Sequence, residues 1–401
     1  MEPTTPPARN EPLLALAMAL SLGAAVSLGI TRFAYGLLLP PMRDDLGWSF
    51  TLAGGMNTAN ALGYLLGALA TPWLLRRLSP AHLMLLGSAL ATVFMLASGF
   101  FVEAVPLLLQ RLLAGVASAF VFITGGLLAA RLGARDPRRS GLLLGLYYGG
   151  TGLGIVASAL LVPPVLQAAS AVAHGWAWAW WMLALLCLAA TLGLVWPARV
   201  LGRHAPPPAP AAGGAVPRVF RWRDFRAALL GYGCFGIGYI GYMTFVIALL
   251  REQGSSPGAI TLFYALLGVA VVASSRIWAG LLDRHQSGQA LARLNALLGV
   301  AAILPALTTA WPLVIASGLL FGGVFLSVVA STTALVRHNL PPAQWAAGIS
   351  AFTVIFAAGQ IVGPTVVGLI ADGPGGLARG LVFSALALWV GAALALRQRA
   401  L

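Results

Sequence analysis

Apolar stretches of roughly 20 residues, each long enough to cross about 30 Å of hydrocarbon, recur along this chain from residue 13 to residue 396. Lipid offers the backbone no hydrogen-bond partner, so such a chain is confined to helices or closed barrels. The length of the runs selects helices. Composition agrees: 59% of the 401 residues are hydrophobic, only 8% are charged, and the mean hydropathy is +0.89. That is too little charge to wet the surface of a soluble chain of this size.

Hydrophobic runs bounded by turn signals predict twelve spans: 13–39, 51–74, 80–101, 106–130, 140–163, 175–196, 226–249, 258–281, 289–309, 312–336, 346–370 and 380–396. The links carry Pro or Gly (Pro40-Pro41, Ser79-Pro80, Asp136-Pro137, Trp311-Pro312, Pro341-Pro342), and links this short set consecutive helices antiparallel. Residues 1–12 are polar and proline-rich, without the charged start and small-residue cleavage site of a signal peptide, and predict a disordered tail. Residues 198–225 contain a Pro/Ala/Gly-rich run after His204 and read as a linker. It separates an amino-terminal bundle, 13–197, from a carboxy-terminal one, 226–401.

All 24 basic residues are arginine. If the amino terminus is cytoplasmic, inside segments hold Arg9, Arg76, Arg77, Arg131, Arg135, Arg138, Arg139, Arg199, Arg203, Arg218, Arg221, Arg223, Arg226, Arg284, Arg293, Arg337, Arg397 and Arg399; outside segments hold Arg43, Arg251 and Arg379. Excess basic residues mark cytoplasmic loops. Both chain ends are therefore expected in the cytoplasm, and the net charge of +14 reports orientation rather than nucleic-acid binding. Cys187 and Cys234 sit in apolar runs and read as small fillers. Trp176, Trp178, Trp180 and Trp181 open the sixth span and read as an interfacial belt.

An offset of 207 positions brings the halves into register without gaps. Gly29 falls on Gly236, Tyr35 on Tyr242, Gly47 on Gly254, Ser49 on Ser256, Arg77 on Arg284, Gly141 on Gly348 and Gly152 on Gly359. Leu112-Leu113-Ala114-Gly115 falls on Leu319-Leu320-Phe321-Gly322. The implied fold is an all-α membrane protein of two pseudo-symmetric six-helix bundles. Parallel repeats of this kind place a solute site at their interface.

With those residues in view, the sequence resembles the major facilitator superfamily over essentially its whole length. Asp283-Arg284, after Trp278-Ala-Gly-Leu-Leu, is similar to that family's motif between helices 8 and 9. Arg111-Leu-Leu-Ala-Gly115 resembles its motif around a buried arginine in helix 4. Gly359-Gln360-Ile-Val-Gly363-Pro364, with Gly368 and Asp372 beyond, resembles its helix 11. The resemblance implies alternating access, with helices 1, 4, 7 and 10 lining the cavity, and a conformational role for Asp283, Arg284, Gly363 and Pro364. Two departures stand out. Arg76 occupies the place that Asp283 holds in the second half, so the first-half motif lacks its acid. Gly141-x8-Gly150-x3-Gly154 follows the antiporter spacing, but Ile155 replaces the expected proline.

Charge inside a bilayer costs roughly 2.5–3.5 kcal/mol for a central arginine, so an intramembrane cation is a functional candidate by default. Arg32 and Arg111 fall at one expected depth, roughly 7–11 Å below the outer surface at 1.5 Å per residue, with no acid in the membrane core between them. A guanidinium fork suits a carboxylate or related oxyanion. The competing readings make Arg111 a structural or proton-coupling group bonded to helix carbonyls, and let Arg32 reach the outer interface. Arg276, nearer the cytoplasmic end, reads as structural or gate-related. Tyr232, Phe235, Tyr239 and Tyr242 form a stripe on the seventh span. Asn57, Asn60 and Tyr64 form another on the second, and Gln360 lies on the eleventh. Polar groups in lipid need partners, so these faces turn inward, as packing or as solute contacts. The offset of 207 pairs Tyr239 with Arg32 and Tyr242 with Tyr35, which makes substrate-binding candidates of Arg32, Tyr35, Asn57, Asn60, Arg111, Tyr239, Tyr242 and Gln360. Gly141, Gly145 and Gly149 recur every four residues on the fifth span, where small residues allow close helix approach and rocking.

The expected function is a secondary transporter of a small organic anion, coupled to protons or to exchange; the alternative is a proton-coupled efflux pump for drugs or metabolites. Efflux of cationic drugs wants a membrane-embedded carboxylate, and none is visible. No metal-ligand cluster, catalytic constellation or phosphate-binding loop of the Gly-x4-Gly-Lys type occurs, so neither enzyme activity nor a cofactor is expected. The expected partners are the solute, protons and lipid, with the chain a monomer in a bacterial inner membrane.

Overall fold

The computed structural model describes residues 13–202, 220–341 and 344–401. The expected tail and most of the expected linker lie outside them. Among the described residues twelve long helices follow one another: α1 Leu13–Leu46, α2 Phe50–Leu74, α3 Pro80–Ser98, α4 Ala104–Arg135, α5 Ser140–Ala168, α6 Trp176–Gly202, α7 Trp222–Glu252, α8 Pro257–Ile277, α9 Gln289–Leu307, α10 Trp311–Asn339, α11 Trp345–Ala371 and α12 Gly376–Leu396. Eleven are long and apolar enough to span a membrane. The exception, α2, is diluted by Asn57, Thr58 and Asn60, yet its 25 residues give about 37 Å at 1.5 Å per residue.

Three boundaries differ from expectation. Pro40-Pro41, read as a link, lies inside α1; a proline φ suits a helix, and only its missing N–H and ring clash are unfavourable. The helix stops instead at Gly47, whose φ of 65° is left-handed. Pro163 and Pro164 likewise lie within α5. The eighth span breaks at Trp278, whose indole donates to the Gly323 carbonyl at 2.7 Å, and resumes as the short turn Ala279–Arg284. The middle of α1, Ala25–Phe33, is wound as a π-helix, a geometry that accumulates at functional sites.

The repeat is visible in both conformation and packing. Gly47 and Gly254 share a positive φ, 65° and 81°. Ser49 and Ser256 each cap the following helix, accepting from Leu52 N at 3.1 Å and Ala259 N at 3.2 Å. Helix α1 packs on α5 as α7 packs on α11; α2 packs on α4 as α8 packs on α10; α3 packs on α6 as α9 packs on α12. The halves meet through two equivalent seams, α2 with α11 and α5 with α8, and through the outer part of α1 against α7.

Close backbone approach makes those seams. A Cβ on Gly54 would lie 2.3 Å from the Pro364 carbonyl oxygen, and one on Gly368 would lie 2.3 Å from that of Phe50. Among the described residues, the hydrogen bonds joining the halves lie between the molecule's middle and its arginine-poor end. Asp372 accepts from Phe50 N at 2.7 Å, Thr51 N at 2.9 Å and the Thr51 hydroxyl at 2.6 Å. Thr58 donates to the Ile361 carbonyl at 2.7 Å. Asn57 donates to Thr244 at 2.8 Å, and Tyr264 to the Phe33 carbonyl at 2.7 Å. The structure is thus closed toward the arginine-poor end.

Candidate functional site

The polar centre is built on the π-wound part of α1. Arg32 is 3% exposed. Its Nε donates to Asn60 Oδ1 at 2.9 Å and its Nη1 to Gln360 Oε1 at 2.5 Å. Its Nη2 is buried without a hydrogen-bond partner. The guanidinium carbon sits 4.8 Å from the centre of the Tyr64 ring, a cation–π contact. The Tyr239 hydroxyl donates to the same Gln360 oxygen at 2.6 Å. Arg32 and Tyr239, paired by the internal repeat, therefore converge on one acceptor across the boundary between the halves.

Arg111 is 2% exposed and differently occupied. Its Nη1 donates to the Thr31 carbonyl at 2.5 Å and its Nη2 to Asn57 Oδ1 at 3.0 Å. Tyr35 and Trp180 lie 5.0 and 5.7 Å from its guanidinium carbon. Asn60 Nδ2 donates to the Arg111 carbonyl at 3.1 Å, so the two amides of α2 stitch Arg111 to Arg32. Of the two sequence readings of Arg111, the geometry matches the one bonded to a helix carbonyl.

Arg32 lies deeper than expected from the sequence. With α1 continuing to Leu46, fourteen residues beyond it, Arg32 is about 21 Å from that end. Arg111, only seven residues into α4, is nonetheless level with it, its Nη1 bonding the carbonyl of the neighbouring Thr31.

The remaining candidates divide. Tyr35 is buried with its hydroxyl on the Ala53 carbonyl at 2.9 Å, and Tyr242 is buried on Ser317 Oγ at 2.7 Å; both are occupied away from Arg32. The expected stripe on α7 is a stack: Tyr232 to Phe235 at 5.5 Å, Phe235 to Tyr239 at 4.8 Å. It continues onto α11 and α10 through Phe356, 5.5 Å from Tyr239, and Phe325, 6.1 Å from it. Phe356 and Phe325 were not among the sequence candidates, although Phe352, Phe356 and Gln360 share a helix face at four-residue spacing. Trp176 and Trp180, read as belt residues, are buried; Trp176 donates to Asp45 at 2.6 Å and Trp180 faces Arg111. Their i, i+4 spacing puts both on the face turned inward, while Trp178 on the other face is exposed.

Among the conformational candidates, the Pro364 carbonyl meets Gly54 in the closed seam, whereas Gly363 packs against the Ile237 carbonyl of α7, within its own bundle. Arg276 and Arg284 are exposed at the arginine-rich end, and position 283 is the last but one of the short turn Ala279–Arg284. The α5 glycines behave otherwise than their four-residue stripe suggests. Gly141 has nothing within 4 Å of a built Cβ, Gly145 is half-buried, and Gly149 makes only ordinary contacts with Val272. The tight approaches belong to Gly150 on Ser21, to Gly154 on Ala25 and Gly29, and to Gly152 on Gly268. Gly150 and Gly154 thus turn toward α1, and Gly149 and Gly152 toward α8.

A separate cavity of about 690 Å³ opens at the arginine-poor end among Pro40, Asp44, Asp45, Pro163, Trp176 and Arg251. Arg32, Tyr239 and Gln360 do not line it.

Comparison with known proteins agrees with this architecture. The family described as "Uncharacterised MFS-type transporter YbfB" matches residues 24–396. No curated protein matches in sequence. The fold is similar to that of a bacterial homologue of the human lysosomal transporter Spinster in an inward-facing, occupied state (TM-score 0.67, 17% identity, 98% of this chain and 97% of that one). It is also similar to the nucleoside transporter NupG (TM-score 0.69, 13% identity, 96% and 98%) and to the human organic anion transporter MFSD10 (TM-score 0.60, 16% identity, 95% and 97%). At such identities these neighbours show the fold alone. The family match spans nearly the whole chain, and the protein is a multi-pass membrane transporter that belongs to the major facilitator superfamily, in its YbfB-type family.

Proposed function

We propose that this transporter carries a small organic anion by alternating access, coupled to protons or to exchange, with Arg32 as its principal contact. The supporting observation is the unpartnered Nη2 of Arg32 at the meeting point of the halves. A buried guanidinium donor without an acceptor is costly, and an anion removes that cost. All ten acidic residues of the sequence lie at or near helix ends or in the chain's first residues, so the anion meets no competing carboxylate. In this reading Arg111, Asn57 and Asn60 position Arg32, Tyr239 completes the contact surface beside Gln360, and the arginine-rich end is cytoplasmic in a bacterial inner membrane. The conformation is then the one closed to the outside.

Thermal-shift titration of purified protein against carboxylates, amines and neutral drugs tests the reading. Stabilisation by carboxylates that disappears in Arg32→Ala is expected. Stabilisation only by cationic or neutral compounds, unchanged in Arg32→Ala, overturns it and favours the efflux alternative, for which the aromatic stack of Tyr232, Phe235, Tyr239 and Phe356 is the supporting surface. An enzyme reporter fused after Arg399 tests the orientation; activity outside the cytoplasm refutes it.

A further inference from the structure

Gln360 is where the solute site and the closed state meet. Its Oε1 accepts from both Arg32 Nη1 and Tyr239. It is 1% exposed, on α11, the helix whose Pro364 and Gly368 meet α2 in the closed seam. Pro364 follows it by four residues and offers no N–H to the Gln360 carbonyl, so the helix is least constrained at this turn. An amide oxygen wedged between a guanidinium and a phenol sits as one oxygen of a carboxylate would sit. The second oxygen of such a carboxylate would meet Nη2, the one Arg32 nitrogen left without a partner. Nε stays on Asn60, so the fork is held with its two Nη atoms toward the seam. The half-buried rings of Tyr64 and Phe356 flank it.

We propose that Gln360 is a placeholder for the solute: its side-chain oxygen occupies the site of one carboxylate oxygen, and loading means exchanging Gln360 for a monocarboxylate with an apolar or aromatic body, held end-on by Arg32 Nη1 and Nη2 and by the Tyr239 hydroxyl. The inference rests on the anion reading above. It selects a monocarboxylate because Arg111, the second buried guanidinium, has both Nη atoms committed to Thr31 and Asn57. Displacing Gln360 frees α11 at the seam, which links occupancy to opening.

Benzoate, its neutral isostere benzamide, and succinate serve as probes at constant ionic strength, with affinity read by calorimetry and stability by thermal unfolding in detergent. In Gln360→Ala the ligand no longer competes with a hydrogen bond to a charged group. The unliganded protein is expected to melt lower and to bind benzoate about tenfold tighter, with benzamide still silent. Gln360→Glu supplies a carboxylate permanently and is expected to melt higher and lose the benzoate response. Tyr239→Phe is expected to weaken benzoate severalfold. Weaker or unchanged benzoate binding in Gln360→Ala, or wild-type benzoate affinity in Gln360→Glu, overturns the placeholder while leaving the anion reading intact. Wild-type protein indifferent to every carboxylate overturns the anion reading itself, and a preference for succinate over benzoate overturns the monocarboxylate assignment.

Discussion

Two guanidinium groups lie at the same level and are held differently, Arg32 leaving Nη2 and Arg111 leaving Nε without a partner. Arg111 spends both Nη atoms on a backbone carbonyl and an amide, so its contribution is to hold α1 against α2 and α4. Each such charged hydrogen bond is worth about 1.5–3 kcal/mol, and a lysine cannot reproduce the fork. Arg111→Lys is therefore expected to lower the melting temperature of the empty protein strongly while changing carboxylate affinity little. Arg32→Lys is expected to do the reverse, since Lys keeps the charge but cannot grip two oxygens at once. Melting curves and binding isotherms of the two variants separate the roles; equal losses of affinity would place both arginines on the solute. The sequence exposes both residues, because an arginine inside an apolar run stands out. It does not expose their difference, because the partner that occupies Arg111 is the main-chain carbonyl of Thr31, and no side-chain pattern encodes a carbonyl left available. The π winding of Ala25–Phe33 shifts which carbonyls point sideways, and it leaves no periodicity mark in a segment apolar on every side.

At the scale of a helix, glycine on α5 illustrates how spacing and direction differ. A four-residue recurrence of Gly141, Gly145 and Gly149 is legible in the sequence, but the face that α1 touches is set by the neighbouring helices, and it is the face of Gly150 and Gly154. A Cβ on Gly150 would lie 1.9 Å from the Ser21 carbonyl oxygen, a backbone atom that cannot swing aside. Gly150→Ala is expected to force α1 and α5 apart, with overpacking costs of about 1–3 kcal/mol. Gly141→Ala meets open space and gains helix propensity of up to about 1 kcal/mol, so it is expected to leave stability level or slightly raised. Thermal unfolding of the pair checks this directly; a harmful Gly141→Ala would mean that the stripe makes close contacts in another conformation. Helix ends follow the same logic. The repeat-matched glycines Gly47 and Gly254 mark true stops because a positive φ is needed there, whereas Pro40-Pro41 punctuates the sequence without ending the helix.

For the molecule as a whole, the offset of 207 was the informative quantity, since it foretells which helix pairs must pack alike and where the two seams fall. It says nothing about where the symmetry fails, and Asp372 is such a place. The repeat pairs it with Val165, which carries no charge. Its carboxylate caps the start of α2 from across the boundary, on Phe50 and Thr51, where a helix N-terminus favours negative charge. Partial burial pushes its pKa up, but hydrogen bonds from Thr51 and Phe50 and the charge of Arg43 outweigh that and hold it below the ordinary 3.8. A carboxyl depressed only in the closed state stabilises that state above the pKa it has when released. The stabilisation fades as pH falls from about 4 through the lower closed-state value. Closure at this end is therefore expected to be pH-insensitive near neutrality and to weaken on strong acidification, and Asp372→Asn is expected to loosen it near neutrality and to converge with the wild type in strong acid. A cysteine at Ala53, buried beneath this cap, in a Cys187→Ser, Cys234→Ser background, gives the readout. Its labelling by a membrane-impermeant maleimide at neutral pH should accelerate severalfold in Asp372→Asn. Accessibility unchanged by that substitution would mean that the glycine contacts Gly54–Pro364 and Gly368–Phe50 hold the seam without the capping charge.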